Sequence, residues 1–531
     1  MKKLSYIIIA AVLFVTINSC RKLNVPVQSQ YTTSNFPVTA ADFNALLGTM
    51  YSNLSANWGI TYWRMQELST DEAILPARDG NFDDGGQYRL MHYHTWTFDH
   101  PYVMSNWAWG FGTGITNCNR IINLIGQSPA SATSKAASVA EVRAMRALYY
   151  FFMMDSYGNV PIYTDFPVAS PPATQSRANV FAFIETELKA AIPLLPRKAS
   201  DAATNTLQYG RANKEMAFAI LQKMYLNAAV YNNTNRLSDA VAMADSIQKN
   251  TNYSLDASYR TIFLPNNGPQ ISETIFAVPY DQQISGNQFT RFGFFPPLLP
   301  YYTGLNFVSG SIAMSTTPEF YARFNLTGDV RNNTWLNGPQ YIPDGNGGWT
   351  NQPATYQGQQ IVITAPLILT GLKPMDVGNT PAAQAEGVRS IKYYPDPAFT
   401  QTARLNGNDM PMFRLADVLL MKAEAILRGA TATTVNGTLQ TPDYLVNLVR
   451  KRAGAPAITG ITLNQMLDER ARELSWEGWR RNDLIRFGQF EVYYPLPNDN
   501  LTMNTDPTRR LFPVPSNELL LNPNLVQNPG Y

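Results

Sequence analysis

Residues 462–489 constrain this chain more than any other stretch. Five acids (Asp468, Glu469, Glu473, Glu477, Asp483) and five arginines (Arg470, Arg472, Arg480, Arg481, Arg486) stand there within nineteen positions. The whole chain is only 15% charged, against roughly 25% for ordinary soluble proteins, so the concentration meets a local need. Thr462 and Gln465 have the spacing of a capping box, in which each side chain satisfies an orphan N–H at a helix start. Leu467, Ala471, Leu474 and Gly478 recur at three to four residues, the period of a helix with one face inward. Glu469 with Arg472, and Glu477 with Arg481, lie one turn apart and are expected to pair. Gly478 is expected to kink or end the helix between Trp476 and Trp479, and Gly488 stands where a C′ glycine would. Taken alone, the pattern specifies a salt-bridged helix against a core and no chemistry.

The run Asp468-Glu469-Arg470-Ala471-Arg472-Glu473-Leu474-Ser475-Trp476-Glu477-Gly478-Trp479-Arg480-Arg481-Asn482-Asp483-Leu484 resembles the signature segment of the SusD/RagB family. Further segments match the same family in the same order. They are Tyr157-Gly158-Asn159-Val160-Pro161, residues 273–280, Gly328-Asp329-Val330-Arg331, residues 414–425, Phe512-Pro513-Val514-Pro515 and residues 522–531. The resemblance therefore spans nearly the whole chain. It implies a surface lipoprotein of Bacteroidetes that captures nutrients, mostly glycans, for a SusC-like TonB-dependent outer-membrane transporter. It also implies a mainly α fold, a right-handed tetratricopeptide-like helical-repeat scaffold with a large irregular, ligand-facing part and few short strands. The RagB branch serves peptide uptake, so an oligosaccharide or a peptide is the implied ligand.

Residues 1–19 read as a lipoprotein signal peptide. Lys2 and Lys3 give a basic start, and residues 6–17 form an apolar run too short to span a bilayer stably. Ile17-Asn18-Ser19 precede Cys20, the expected site of lipidation, whose acyl chains would anchor the protein to the outer membrane. Arg21-Lys22 follow, where relatives often carry acids that favour surface display, so the face of the membrane is left open between cell exterior and periplasm. The rest divides into an N-terminal part, 20–250, and a C-terminal part, 251–531, expected to pack intimately. With 45% hydrophobic residues the mature chain is expected to be globular. A net charge of +2 gives no footprint for nucleic acid. Cys20 and Cys118 are the only cysteines. Lipidation of Cys20 leaves no intrachain disulfide, and Cys118 reads as a buried small hydrophobe.

Helices are expected over 43–54, 105–125, 138–157, 180–191, 211–231, 239–249 and 410–428, in pairs that fit helical-repeat packing. Residues 58–111 differ, with five of the nine Trp, all three His, and frequent Gly, Asn and Asp that mark loops with short helices. Residues 79–85 resemble the start of a calcium loop, but the Gly falls one position late and Leu90 stands where a bidentate Glu belongs, so they read as a turn. His92 and His94 would share one face of a strand, without carboxylate or Cys nearby, which fits a polar surface better than a metal site. Residues 332–408 are rich in Gly, Asn, Pro and Thr, an irregular stretch of the kind that carries function on a rigid scaffold.

The chain lacks a serine elbow, phosphate loop, dinucleotide fingerprint and zinc helix, and no cofactor or metal is implied. A glycosidase needs two facing carboxylates, and the densest acids here are interleaved with arginines that would hold them ionised. Binding fits the composition better. Sugar rings dock their C–H faces on aromatic rings, and their hydroxyls need amide or charged partners. The candidate ring platforms are Trp58, Trp63, Trp96, Trp107, Tyr301 and Tyr302, with Arg64, Asn57 and Gln66 as polar partners. A glycan-capturing subunit, a peptide-capturing one and a structural lid without ligand remain the alternatives, with a glycoside hydrolase the outlier.

Overall fold

The computed structural model describes residues 36–281, 286, 295–304, 314–346, 348–398 and 406–531. The signal segment, Cys20 and the polar stretch 23–31 lie outside the described residues. About 48% of the chain is helical, with few short strands, a mainly α fold. The helices are α1 (Ala40–Ser55), α2 (Trp63–Leu68), α3 (Thr116–Gln127), α4 (Ala132–Tyr157), α5 (Arg177–Ala191), α6 (Lys214–Leu226), α7 (Leu237–Gln248), α8 (Leu415–Leu427), α9 (Pro442–Arg452), α10 (Leu463–Leu474) and α11 (Arg480–Phe487), with shorter turns between them. Their starts are written in the sequence. Ser131, Ser176, Asn213 and Thr441 each accept the N–H three residues on, which satisfies one orphan donor of the first turn. Thr39 and Thr462 form full capping boxes with Asp42 and Gln465.

Neighbouring helices pack in succession: α3 on α4, α4 on α5, α6 on α7, α7 on α8, and α8 on both α9 and α10. The last 18 residues of α4 are buried except at Arg143, because that half is apolar on every side and is covered all round. Close approach is needed there. A Cβ on Gly114 would lie 2.5 Å from the Tyr149 ring, and one on Gly110 would lie 2.3 Å from the Met153 sulfur, so only glycine lets this turn reach α4.

The charged segment sits inside. α10 ends at Leu474, Trp476 takes a positive φ of 61° and Gly478 one of 81°, and α11 starts at Arg480 and stops at Gly488 (φ 65°). Glu469 pairs with Arg472 as expected (2.8 Å). Glu477 does not pair with Arg481, because the break at residues 475–479 takes the two out of helical register. Glu477 instead meets Lys392 (2.6 Å) and Arg414 (2.7 Å). Arg414 also meets Glu273 (2.8 Å) and Glu473 (2.6 Å), while Arg331 joins Asp329, Glu469 and Glu473 at 2.7 to 3.1 Å. The anchor for Arg414 is an antiparallel pair, β1 (Thr274–Val278) with the later strand Met410–Arg414, both wholly buried and registered Thr274 opposite Arg414. Arg480 reaches back to Asp71 (2.7 Å), and the Trp476 and Gly478 N–H groups donate to Glu72 and Glu67. One buried network thus ties the last helices to the loop after α2.

All three histidines are buried, not at a polar surface. His92 ends a short helix and His94 has φ 53°, so they do not share a strand. The His94 Nε2 meets the Ser69 carbonyl and the His100 Nε2 that of Gln87, each at 2.9 Å. Residues 79–85 form a turn whose Asp79 and Gly80 N–H groups donate to the Asp376 carboxylate at 3.0 and 2.7 Å. Cys118 is fully buried, and burial pushes its thiol up to about 12.

Candidate functional site

The four tryptophans expected as platforms do not face solvent. Trp58, Trp63 and Trp96 are each 1% exposed and Trp107 is 3%. Trp58 stacks on Tyr62 (5.0 Å between centroids) and meets Phe152 of α4 (4.9 Å). Trp63 donates to the Trp476 carbonyl (3.2 Å), and Trp96 to the Tyr531 hydroxyl (2.6 Å). Trp107 packs edge-on against Tyr157. Their polar companions are committed as well. Arg64 donates to the Tyr102 hydroxyl, Asn57 to Asn106 and Gln66 to Ser156. The physical reason is geometric. The short helices and loops of 58–111 lie between α4 and the 475–479 corner, so their large rings close the main core.

Tyr301 and Tyr302 lie elsewhere, on a second, smaller core built from Leu298, Leu336, Ala354, Ile361, Ile363 and Tyr394. This core supports the irregular stretch, whose short strands are β2 (Trp335–Leu336), β3 (Gly338–Pro339), β4 (Tyr341–Pro343), β5 (Trp349–Pro353), β6 (Val362–Ile363) and β7 (Arg389–Ser390). They pair antiparallel as β2 with β7, β3 with β6, and β4 with β5. Tyr302 is buried, and its hydroxyl accepts from Trp349 Nε1 (3.1 Å). The Tyr301 hydroxyl donates to the Thr355 carbonyl (2.7 Å) and accepts the Thr355 N–H (2.9 Å). Tyr302 therefore ties the β4–β5 hairpin, and Tyr301 the residue pair just after it, to this core.

What they support is a groove of about 290 Å³. Its aromatic walls are Tyr321, Trp335, Tyr341 and Trp349, and its amides are Asn332, Asn333, Asn337 and Gln340. Tyr341 is 38% exposed, while Trp349 and Tyr321 are half-buried, so ring faces remain available. Asn337 donates to the Tyr321 hydroxyl (3.2 Å), and Gln340 to the Gly338 carbonyl (2.9 Å). The β4–β5 turn is fixed by Asp344, which accepts the Asn346 and Gly348 N–H groups at 2.8 and 2.9 Å. No lining residue is a carboxylate, histidine, thiol or hydroxyl nucleophile other than phenols. Flat rings alternating with amides give the groove stacking surfaces and hydrogen bonds but no acid–base pair. Among the described residues no group of three or more His, Cys, Asp or Glu could hold a metal ion.

Sequence reasoning placed function in this stretch but named none of its rings. A signal was there. Of the four tryptophans outside 58–111, two belong to the charged corner, and the other two, Trp335 and Trp349, fall in the Gly- and Asn-rich stretch.

Two family models match the chain: "SusD family" over residues 371–531 and "Starch-binding associating with outer membrane" over 27–226. The groove lies between the two matched spans. The chain is 27% identical to the starch-binding protein SusD of Bacteroides thetaiotaomicron over 422 residues, covering 74% of this chain and 72% of that one. It is 26% identical to a SusD-like protein of Bacteroides ovatus over 485 residues, 80% of each. Among solved structures it is similar to surface glycan-binding protein A of Bacteroides thetaiotaomicron in complex with laminarihexaose (TM-score 0.70, 22% identity, 92% of this chain and 100% of that one). A SusD superfamily protein of Parabacteroides distasonis matches equally well (TM-score 0.70, 21% identity, 92% and 99%). The signature run around Trp476, the helical scaffold and these likenesses agree, and the chain belongs to the SusD/RagB family.

Proposed function

We propose that this protein is a lipid-anchored, outer-membrane glycan-binding subunit that captures an oligosaccharide in the groove and passes it to a TonB-dependent transporter. The observation that carries the reading is the groove itself, with ring faces for sugar C–H surfaces beside amides for hydroxyls. The relatives support it, since one is a starch-binding protein and another binds laminarihexaose. No helix among the described residues is long and apolar enough to cross a membrane. Attachment therefore falls to Cys20, and inward movement of the ligand to a separate barrel.

The ligand is bound and released, not cleaved, because the groove has no paired carboxylates. Affinity is expected in the micromolar to millimolar range, since partly exposed rings bury little area. Isothermal titration of the soluble chain without the anchor cysteine, Arg21–Tyr531, against neutral hexasaccharides should give saturable binding, with the sugar recovered intact. Tyr341→Ala and Trp349→Ala should each weaken it at least tenfold, with a cooperative melt retained. Binding of a peptide panel in place of every glycan would turn the reading to peptide capture. Cleavage products lost on changing one carboxylate would turn it to hydrolysis.

A further inference from the structure

We propose that the groove selects uncharged glycan segments, with Asn332 and Trp335 as the residues that read a sugar hydroxyl. The inference rests on the glycan-capture reading and adds the chemical class of the ligand. Its first ground is the absence of charge in the walls. Across residues 332–372 the only charged side chain is Asp344, although the chain as a whole is 15% charged. Asp344 is an anion and is already held by the hairpin turn between Tyr341 and Trp349.

Two described cations near the groove, Arg331 and Arg260, are committed elsewhere. Arg331, next to Asn332, is fully buried and bound to Asp329, Glu469 and Glu473. Arg260 reaches the back of the wall, but donates Nη1 to the Ile391 carbonyl (2.6 Å) and Nη2 to that of Asn333 (2.7 Å). Among the described residues, a carboxylate or sulfate entering the groove would lose water and meet no cation in its lining, only the field of Asp344. Burying an unpaired ion is strongly unfavourable. A neutral sugar incurs no such penalty.

The second ground is independent of charge. Two lining residues hold buried polar atoms without a partner, an acceptor at Asn332 Oδ1 and a donor at Trp335 Nε1. Buried polar atoms are nearly always hydrogen-bonded, so two in one wall call for an explanation. A hydroxyl both donates and accepts, and so suits a wall with one unused acceptor and one unused donor. A carboxylate can only accept, and would set oxygen against the Asn332 oxygen.

The test compares laminarihexaose, cellohexaose, mannohexaose and xylohexaose with hexagalacturonate and hexaguluronate, by titration at 50 and 500 mM NaCl. At least one neutral hexamer is expected to bind, tenfold or more tighter than either uronate, and equally at both salt concentrations. Trp335→Phe keeps a ring and removes the donor, so it should weaken neutral binding severalfold with the melting temperature held. Uronate binding as tight as neutral binding, abolished by Tyr341→Ala, overturns the selectivity and leaves the groove as the site. Binding of any hexamer that survives both Tyr341→Ala and Trp349→Ala overturns the site and the selectivity together. Unchanged neutral affinity in a folded Trp335→Phe overturns the role given to that residue.

Discussion

Glu477 is 1% exposed and holds two cations, Lys392 at 2.6 Å and Arg414 at 2.7 Å. Removing it leaves two buried positive charges beside each other, and breaking a buried pair costs about 3–5 kcal/mol where an exposed one is worth about 0–1. Glu477→Ala should therefore lower the melting temperature sharply in a calorimetric scan, while the folded fraction keeps its glycan affinity, since neither Glu477 nor its two cations line the groove. Loss of binding at an unchanged melting temperature would move the site to this corner. A second carboxyl of the corner titrates near neutrality. Burial pushes Glu67 up from 4.5 to about 8, against the opposing Gly478 N–H and the hydrogen bond from Glu72. The folded state then binds a proton that the unfolded state has lost, so stability falls as pH rises between those values. The buried histidines act in the opposite sense below 6.5, where burial lowers His92 and His100 to about 4 and His94 to about 3. Their window closes at 6.5, so the decline from pH 6.5 to 8 belongs to the Glu67–Glu72 pair. Glu67→Gln keeps the oxygen that accepts from Gly478 and should flatten that decline in thermal scans. An equal slope in the variant would assign it to another group.

At the scale of elements, local rules were readable and their assembly was not. The capping box at Thr462 and the C′ glycine at Gly488 follow from residues within one turn, and the structure has both. Pairing of Glu477 with Arg481 needed an unbroken helix, and the positive φ angles of Trp476 and Gly478 removed it. The tryptophans of 58–111 are buried for a related reason. Aromatic, Gly-rich sequence looks the same whether a loop faces water or is covered, and what covers this one, α4 and residues 475–479, lies 50 to 400 positions away. Burial of Arg414, Arg331 and Lys392 was equally hidden, because their partners come from three separate elements. Conversely, residues 332–408 stood out by composition, since a long stretch rich in Gly, Asn, Pro and Thr with few helix signals tends to carry function on a rigid scaffold. Which of its rings would face the opening depended on the β4–β5 register, set by contacts of Tyr301 and Tyr302 that no local pattern records.

For the whole molecule the decisive question is how a protein with a groove on one small core serves a cell. If Cys20 carries the lipid, the groove works at the membrane and beside a barrel in it. Two consequences separate capture from anchoring. Cys20→Ala should move the protein from the membrane to the soluble fraction and abolish labelling by palmitate, while the purified protein binds neutral hexasaccharides as before. Growth on the captured glycan should then fail although affinity is intact, because binding energy is useful only next to the transporter. Wild-type protein solubilised from native membranes should bring a TonB-dependent barrel with it, and the Tyr341→Ala protein should do so too, since its defect lies in the ligand and not the partner. Protease treatment of whole cells would report which face of the outer membrane the wild type occupies. Palmitate on the Cys20→Ala protein would refute the anchor, and a wild type that binds glycan yet recovers no barrel would refute the transfer step alone.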